Sequence, residues 1–293
     1  MPQIKGKEMA HMEKAHTEKV QQENAASVLA AVEAPVLEVS QLQIFSRQGK
    51  QQRPLVHGVS FVIPRGETLA LVGESGSGKS VTASAVLGLM SGSLAINSGE
   101  IRFCGDNVLD WSDKKRRGLR GREIGFIFQN YQESFTPFIT VGKQMNETLR
   151  SHEKLTSRQA KVQALEWLEQ VGLPAKRVYS SYPFQLSGGQ LQRAAIAAAM
   201  MLQPALLIAD EPTTALDVIS GEKVLGVLAS LQKRTGCSVL LISHDLRHVV
   251  KRASTIAVMK DGHIVELDTA EHILYHCHHE YTQQLLNARP YIT

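Results

Sequence analysis

The sequence predicts an α/β fold built on a mainly parallel sheet, and three observations carry that expectation. Short, almost wholly apolar runs at Thr68–Val72, Leu206–Ala209 and Ser238–Ser243 have the length and composition of strands buried on both faces. In the second half of the chain such runs alternate with helix-period segments, as strands joined by crossover helices do. The first of these runs feeds straight into a glycine-rich turn and then an apolar helical pattern, Val81–Met90.

Residues 1–35 read as a polar N-terminal extension, within which Met9–Ala34 has the composition of a fraying helix that needs a partner to form. The folded part is expected to run over 36–293. It opens with Val36–Ser40, which alternates like a half-buried strand, followed by Val59–Ile63 and Thr68–Val72. A helix is expected over Lys79–Leu89, then strands at Glu100–Phe103 and Ile124–Phe128. From about 130 to 201 the pattern is mostly helical, with helices at Arg158–Val171 and Gly189–Met201, as an inserted helical subdomain would read. Strand Leu206–Ala209, helix Gly221–Thr235, strand Ser238–Ser243, helix Asp245–Ala253 and strand Ile256–Lys260 complete the alternation. There is no internal repeat.

Composition narrows the class. At 293 residues and 43% hydrophobic, the chain is long enough to bury one or two substantial cores. A net charge of +4 is modest at this length and does not by itself point to nucleic acid or an anionic membrane. The dense basic run Lys114–Arg117, with Arg120 and Arg122, has no interleaved aromatics to stack bases and reads as a solvated face. Cys104, Cys237 and Cys277 lie far apart with no metal-ligand spacing, and read as reduced thiols. The run His276–His279 is not read as a metal site. No secretory signal is expected, because the apolar run Ala25–Ala34 is short and contains Glu33. Ala194–Ala209 is too interrupted, at Gln203–Pro204, to span a membrane.

The turn after the first buried strand is Gly73-Glu74-Ser75-Gly76-Ser77-Gly78-Lys79-Ser80, which fits the phosphate-binding pattern of two glycines with four residues between them, followed by Lys and Ser. Glycines let consecutive amides converge on phosphate oxygens, the following helix adds its positive N-terminal end, and Lys79 neutralises β and γ oxygens. Ser80 is placed to ligate Mg²⁺. The strand Leu206–Ala209 delivers Asp210 to the same sheet edge as a second Mg²⁺ ligand, with Glu211 beside it as a general base. Leu186–Gln190 is a second phosphate-seeking helix start, built from Ser187, Gly188, Gly189 and Gln190. One ATP does not need two such cradles from one chain, so this one is expected to cap the γ-phosphate of ATP held by another subunit.

With these motifs in this order the sequence resembles the ATPase subunits of ATP-binding cassette transporters, over residues 36–293. The resemblance implies the P-loop nucleotide-hydrolase core with an added antiparallel β subdomain. It makes Gln129 the glutamine that touches Mg²⁺ and faces the membrane partner. It makes His244 the histidine that senses the γ-phosphate, and Ala215–Asp217 the segment crossing the dimer interface. Phe45 is its best candidate for stacking on adenine, although the spacing to Gly73 is long. Within the family the chain is similar to the dipeptide, oligopeptide and nickel importer branch, through Ser134–Pro137, Thr140–Gly142, Ala209–Asp217 and His279-Glu280-Tyr281-Thr282, where Glu280 stands in place of that branch's proline. The short tail after Thr282, the lack of a four-cysteine cluster, Gly142–Met145 and Leu191–Arg193 favour nickel or a metal chelate as cargo over peptides.

The resemblance further implies a peripheral ATPase on the cytoplasmic face of the membrane. Its partners would be two integral membrane permeases, a second, paralogous ATPase subunit and, indirectly, an extracytoplasmic cargo-binding protein. No nucleic-acid partner is expected. The rivals fit less well: a DNA-repair ATPase of this fold would insert a long coiled coil, and a translation-linked protein would carry two cassettes. An exporter ATPase shares the motor motifs, and only the tail speaks against it.

Overall fold

The computed structural model describes residues 34–48, 51–214 and 216–287. The N-terminal extension up to residue 33, with nearly all of the helix expected over Met9–Ala34, lies outside the described residues, as do Ala215 and residues 288–293.

Strands β1 (Leu37–Gln48), β2 (Gln51–Ile63), β4 (Leu94–Phe103) and β5 (Asp106–Asn107) form an antiparallel sheet in the order β2-β1-β4-β5. A second sheet has the order β10-β9-β3-β8-β7-β6, from β3 (Thr68–Val72), β6 (Ile124–Ile127), β7 (Leu206–Asp210), β8 (Ser238–Ser243), β9 (Thr255–Lys260) and β10 (His263–Thr269). Its strands run parallel except for the antiparallel edge strand β10. The helices are α1 (Lys79–Val86), α2 (Asp113–Leu119), α3 (Val141–His152), α4 (Ser157–Gln170), α5 (Ala175–Ser180), α6 (Gly188–Met200), α7 (Val218–Thr235), α8 (Leu246–Val249), α9 (Ala270–His276) and α10 (Glu280–Asn287). Helices α3 to α6 fall between β6 and β7, where the sequence places its helical stretch.

The parallel strands are apolar throughout because each side is covered. Leu69, Leu71, Leu206, Ile208, Leu240 and Ile242 pack with α1 and the antiparallel sheet in one core. Their alternates Ala70, Val72, Leu207, Ala209, Val239 and Leu241 pack with the helices in the other. This is the period-2 signature of a sheet buried on both faces.

Three differences from the sequence expectation have local causes. Strand β1 runs to Gln48, well beyond Ser40, because a bulge at Gln41 (φ 49°) flips the inward positions from Leu37 and Val39 to Leu42 and Ile44. Gly99 of β4 accommodates that bulge: a Cβ there would lie 2.5 Å from the Gln41 carbonyl oxygen. Helix α1 stops at Val86, with Leu87 as C-cap and Gly88 beyond it at a left-handed φ of 61°. The helix expected over Asp245–Ala253 is the four-residue α8, whose coil continues as turns through the bonds Val250 N–H to Leu246 O and Ala253 N–H to Val249 O. Strand β10 and helices α9 and α10 were not anticipated.

The basic run lies on α2 and in the turn after it, and several of its charges are locally paired. Arg116 bonds Asp113 at 2.7 Å, and Lys115 sits over the Trp111 ring at 3.6 Å. Arg120 donates to the Leu87 and Gly88 carbonyls and so caps α1. No helix among the described residues is long and apolar enough to cross a membrane.

Candidate active site

Strand order assembles the site. Because β3, β8 and β7 are neighbours, their carboxyl ends set Gly73, His244, Asp210 and Glu211 along one rim, and β6 beside β7 adds Phe128 and Gln129. Open α/β sheets bind ligands along such a rim.

The turn Gly73–Gly78 is shaped by close approach. A Cβ on Gly73 would lie 2.0 Å from the Met259 carbonyl oxygen, and Gly78 (φ 105°) is the N-cap of α1 with no side chain capping the helix. The first amides of α1 therefore have no side-chain acceptor, which leaves them available to an anion. Lys79 is buried, and its Nζ donates to the Gly73 and Glu74 carbonyls, each at 2.8 Å, and to Ser77 Oγ at 3.4 Å. Burial lowers the Lys79 pKa, opposed by Glu211, Asp210 and Glu74. An anion replacing those carbonyls would recover the desolvation cost.

Ser80 Oγ donates to Asp210 Oδ1 at 3.1 Å. Asp210 is buried, and burial pushes its carboxyl up despite the Ser80 bond. A carboxylate and a hydroxyl meeting at one point are hard oxygen donors, so they fit a small divalent cation such as Mg²⁺. Gln129 Nε2 bonds Glu211 Oε2 at 3.2 Å, beside this pair.

Glu211 Oε2 is the meeting point. Thr214 Oγ1 donates to it at 2.7 Å and His244 Nδ1 lies 3.2 Å away. The His244 bond is the main cause that holds the Glu211 carboxyl below its ordinary value, and the same bond raises the His244 imidazole. Glu211 also has φ 46°, a left-handed backbone that is costly for a non-glycine residue and turns its carboxylate off the end of β7.

Other expected site residues stand apart from this cluster. Ser187 caps α6 in a reciprocal box: its Oγ accepts from Gln190 N–H at 3.3 Å, and Gln190 Oε1 accepts from Ser187 N–H at 3.1 Å. Gly188 lies under the Tyr131 hydroxyl, which a Cβ would meet at 2.5 Å, and Gly189 faces Ser220. Among the described residues no hydrogen bond or ion pair is found between Ser187–Gln190 and Gly73–Ser80. Asp217 is exposed and caps α7 by accepting from Ser220 N–H at 3.0 Å. Phe45 is half-buried opposite Pro54; the next residues on β2, Leu55 and Val56, lie against Gly78, which puts this corner of the antiparallel sheet beside the loop.

Two contacts escaped the sequence reading. Thr214 lies inside the segment Ala209–Asp217 but carried no role there; its position three residues after Glu211 in a turn was the available signal. Tyr281, from the far end of the chain, accepts a hydrogen bond from Glu74 N–H at 2.9 Å.

Uncapped amides around a lysine, facing a strand-end carboxylate pair, define a nucleoside-triphosphate hydrolase of the P-loop class. Comparison with known proteins narrows this: the pattern of the ABC transporter family matches residues 56–214. The chain is 42% identical over 238 residues to a metal–staphylopine import system ATP-binding protein of Staphylococcus aureus, covering 81% of this chain and 88% of that one. It is 44% identical over 258 residues to an oligopeptide transport ATP-binding protein of Bacillus subtilis, covering 87% and 72%. The dimeric ATP-binding cassette MJ0796, bound to ADP and Pi, matches with a TM-score of 0.71 at 28% identity, over 80% of this chain and 98% of that one. The chain belongs to the ABC transporter family. It is an ATP-binding and ATP-hydrolysing subunit of an importer.

Proposed function

We propose that the chain powers uptake of nickel or a metal–chelate complex by closing on ATP against a second, paralogous ATPase subunit. The observation that carries the two-subunit reading is that Ser187–Gln190 forms a finished helix start with, among the described residues, no hydrogen bond to the phosphate loop of its own chain. In this reading the amides of Gly73–Ser80 and the Lys79 ammonium hold the triphosphate, and Phe45 stacks on the base. Ser187, Gly188, Gly189 and Gln190 cap the γ-phosphate across the interface, where Asp217 also lies. Ser80, Asp210 and Gln129 would hold Mg²⁺, which when bound neutralises charge on the β and γ oxygens.

Glu211 takes the proton of the attacking water, its carboxylate kept ionised and aimed by Thr214 and His244. Loss of the γ-phosphate frees His244 and opens the pair. The Gln129 region transmits closure to two membrane permeases, with the chain lying on the cytoplasmic face and a cargo-binding protein acting on the other side. Residues 36–293 would form the nucleotide-binding unit, with a helical subdomain over about 130–201.

Likeness to the metal–staphylopine relative, together with Gly142–Met145 and Leu191–Arg193, supports metal cargo. Peptide cargo is the second reading, favoured by the 44% identity to the oligopeptide relative. Uptake of radiolabelled nickel and of labelled peptide in a strain lacking only this gene decides between them. Metal uptake should fall while peptide uptake holds, and the reverse would move the protein to the peptide importers.

A further inference from the structure

The tail element His279–Thr282 has no place in the chemistry above, yet its tyrosine reaches the phosphate loop. We propose that Tyr281 is a positioning residue for nucleotide binding: its hydroxyl holds the Gly73–Glu74 peptide from the side opposite Lys79. This inference rests on reading Gly73–Ser80 as the nucleotide loop.

In a trans peptide the C=O and N–H point in opposite directions from one rigid plane. In the Gly73–Glu74 unit the C=O accepts from Lys79 Nζ at 2.8 Å and the N–H donates to Tyr281 Oη at 2.9 Å. The plane is therefore fixed from both sides. When Lys79 leaves its carbonyls for phosphate oxygens, the tyrosine bond is the one that remains. A loop whose first peptide is free to rotate has more conformations to lose on binding, and that loss appears directly in affinity.

The hydroxyl is held by its surroundings. Tyr281 is only 3% exposed, and Lys260 Nζ lies 4.8 Å over its ring. Its own N–H donates to His279 Nδ1 at 3.1 Å, so His279 caps the start of α10. Glu280 begins α10, the first helical position, which suits proline and equally an acid facing the positive helix end. This explains how the element tolerates Glu280 in place of the related branch's proline. The β9–β10 turn closes the other side, with Gly262 N–H donating to the Ser77 carbonyl at 3.1 Å. A ring serving only as packing would need no hydroxyl, and this one is spent on the loop.

The test uses the purified full-length chain and its Tyr281→Phe and Thr282→Val variants. Phe keeps the ring and removes one oxygen. Thr282→Val alters the next buried residue, whose hydroxyl has no partner, and serves as the control. ATP affinity of the chain is measured by calorimetry, and KM and kcat for ATP hydrolysis are determined on its complex with the second ATPase subunit, well below the unfolding temperature. Tyr281→Phe should weaken ATP binding and raise KM by about five- to tenfold, the range for one lost hydrogen bond, with kcat at saturation within about twofold. Thr282→Val should leave both constants unchanged.

Exchange of the Glu74 amide with solvent, followed by NMR, should quicken in Tyr281→Phe alone. Unchanged ATP affinity in Tyr281→Phe overturns the proposal, whether or not thermal stability or amide exchange moves. A fall in kcat at unchanged KM overturns it too. A wild-type chain that binds no ATP would instead overturn the nucleotide-loop reading, and this inference with it.

Discussion

The cluster at the strand ends and the start of helix α6 carry equally clear motifs, but only one of them finds its partners within the chain. At the strand ends, bonds of 2.7 to 3.2 Å tie Lys79 to Gly73, Ser80 to Asp210, and Gln129, Thr214 and His244 to Glu211, three sets along one rim. At α6, Ser187 and Gln190 satisfy only each other, and the glycines between them face Tyr131 and Ser220. A sheet edge concentrates its own ligands because neighbouring strands must end together. A helix start can be complete within its own chain, and in the reading proposed above this one is half of a site.

The largest effect expected from breaking the first half is loss of turnover. Glu211→Gln keeps shape but cannot accept a proton, so steady-state hydrolysis should fall about 10²- to 10⁴-fold while ATP still binds. Measurement on the complex with both ATPase subunits substituted removes the contribution of the partner's site. Ordinary turnover there would end the assignment of Glu211 as base.

The second half should respond in the opposite sense. Ser187→Arg is expected to weaken ATP-driven association at least about tenfold, since a new charge must be desolvated in the interface. ATP affinity of the isolated chain should stay within about twofold. If the isolated chain itself loses affinity, the α6 start serves its own chain and the contrast between the two regions dissolves.

In the first half Gln129 and His244 came only from the family resemblance and Thr214 was missed, whereas the phosphate loop Gly73–Ser80 was legible because its geometry is local: a strand, a fixed number of turn residues and a helix. Asp210 and Glu211 were legible for the same reason, at the end of an unbroken apolar strand. What could not be read was long-range. The bond from Glu74 to Tyr281 joins positions 207 apart, and nothing in periodicity marks it. Strands β1 and β2 were cut short by parity flips at Gln41 and Gly58, where a bulge and a left-handed glycine interrupt the alternation. The histidine run His276–His279 was not read as a metal site. His279 has another use, capping the helix that carries Tyr281.

Among the groups bonded to Glu211 a smaller effect separates aiming from chemistry. Thr214 donates the shortest bond to Glu211, at 2.7 Å. Thr214→Val removes the hydroxyl at nearly constant volume, so turnover should fall about three- to tenfold, the range for one charge-assisted bond. ATP affinity should not change. A loss as large as that of Glu211→Gln would mean the hydroxyl itself takes part in the reaction.

The smallest effect is a shift in titration, and it tests whether Glu211 and His244 act as a pair before ATP arrives. The imidazole is raised above its ordinary 6.5 chiefly by the Glu211 bond, and the carboxyl is lowered below its ordinary 4.5 chiefly by His244. The raised histidine contributes stability that is full below 6.5 and disappears as pH rises through its folded value. The lowered glutamate contributes stability that is present above 4.5 and disappears as pH falls through its folded value. Between those limits the two hold each other as an ion pair, with His244 half exposed and therefore screened by solvent. Histidine NMR titration of the nucleotide-free chain should place the His244 midpoint above 6.5, and in Glu211→Gln it should move down toward that value. The Gln variant leaves a neutral partner at the same distance, so the difference isolates the charge. An identical midpoint in both would show that the two side chains do not pair in solution, and His244 would then need another means of holding its place beside the site.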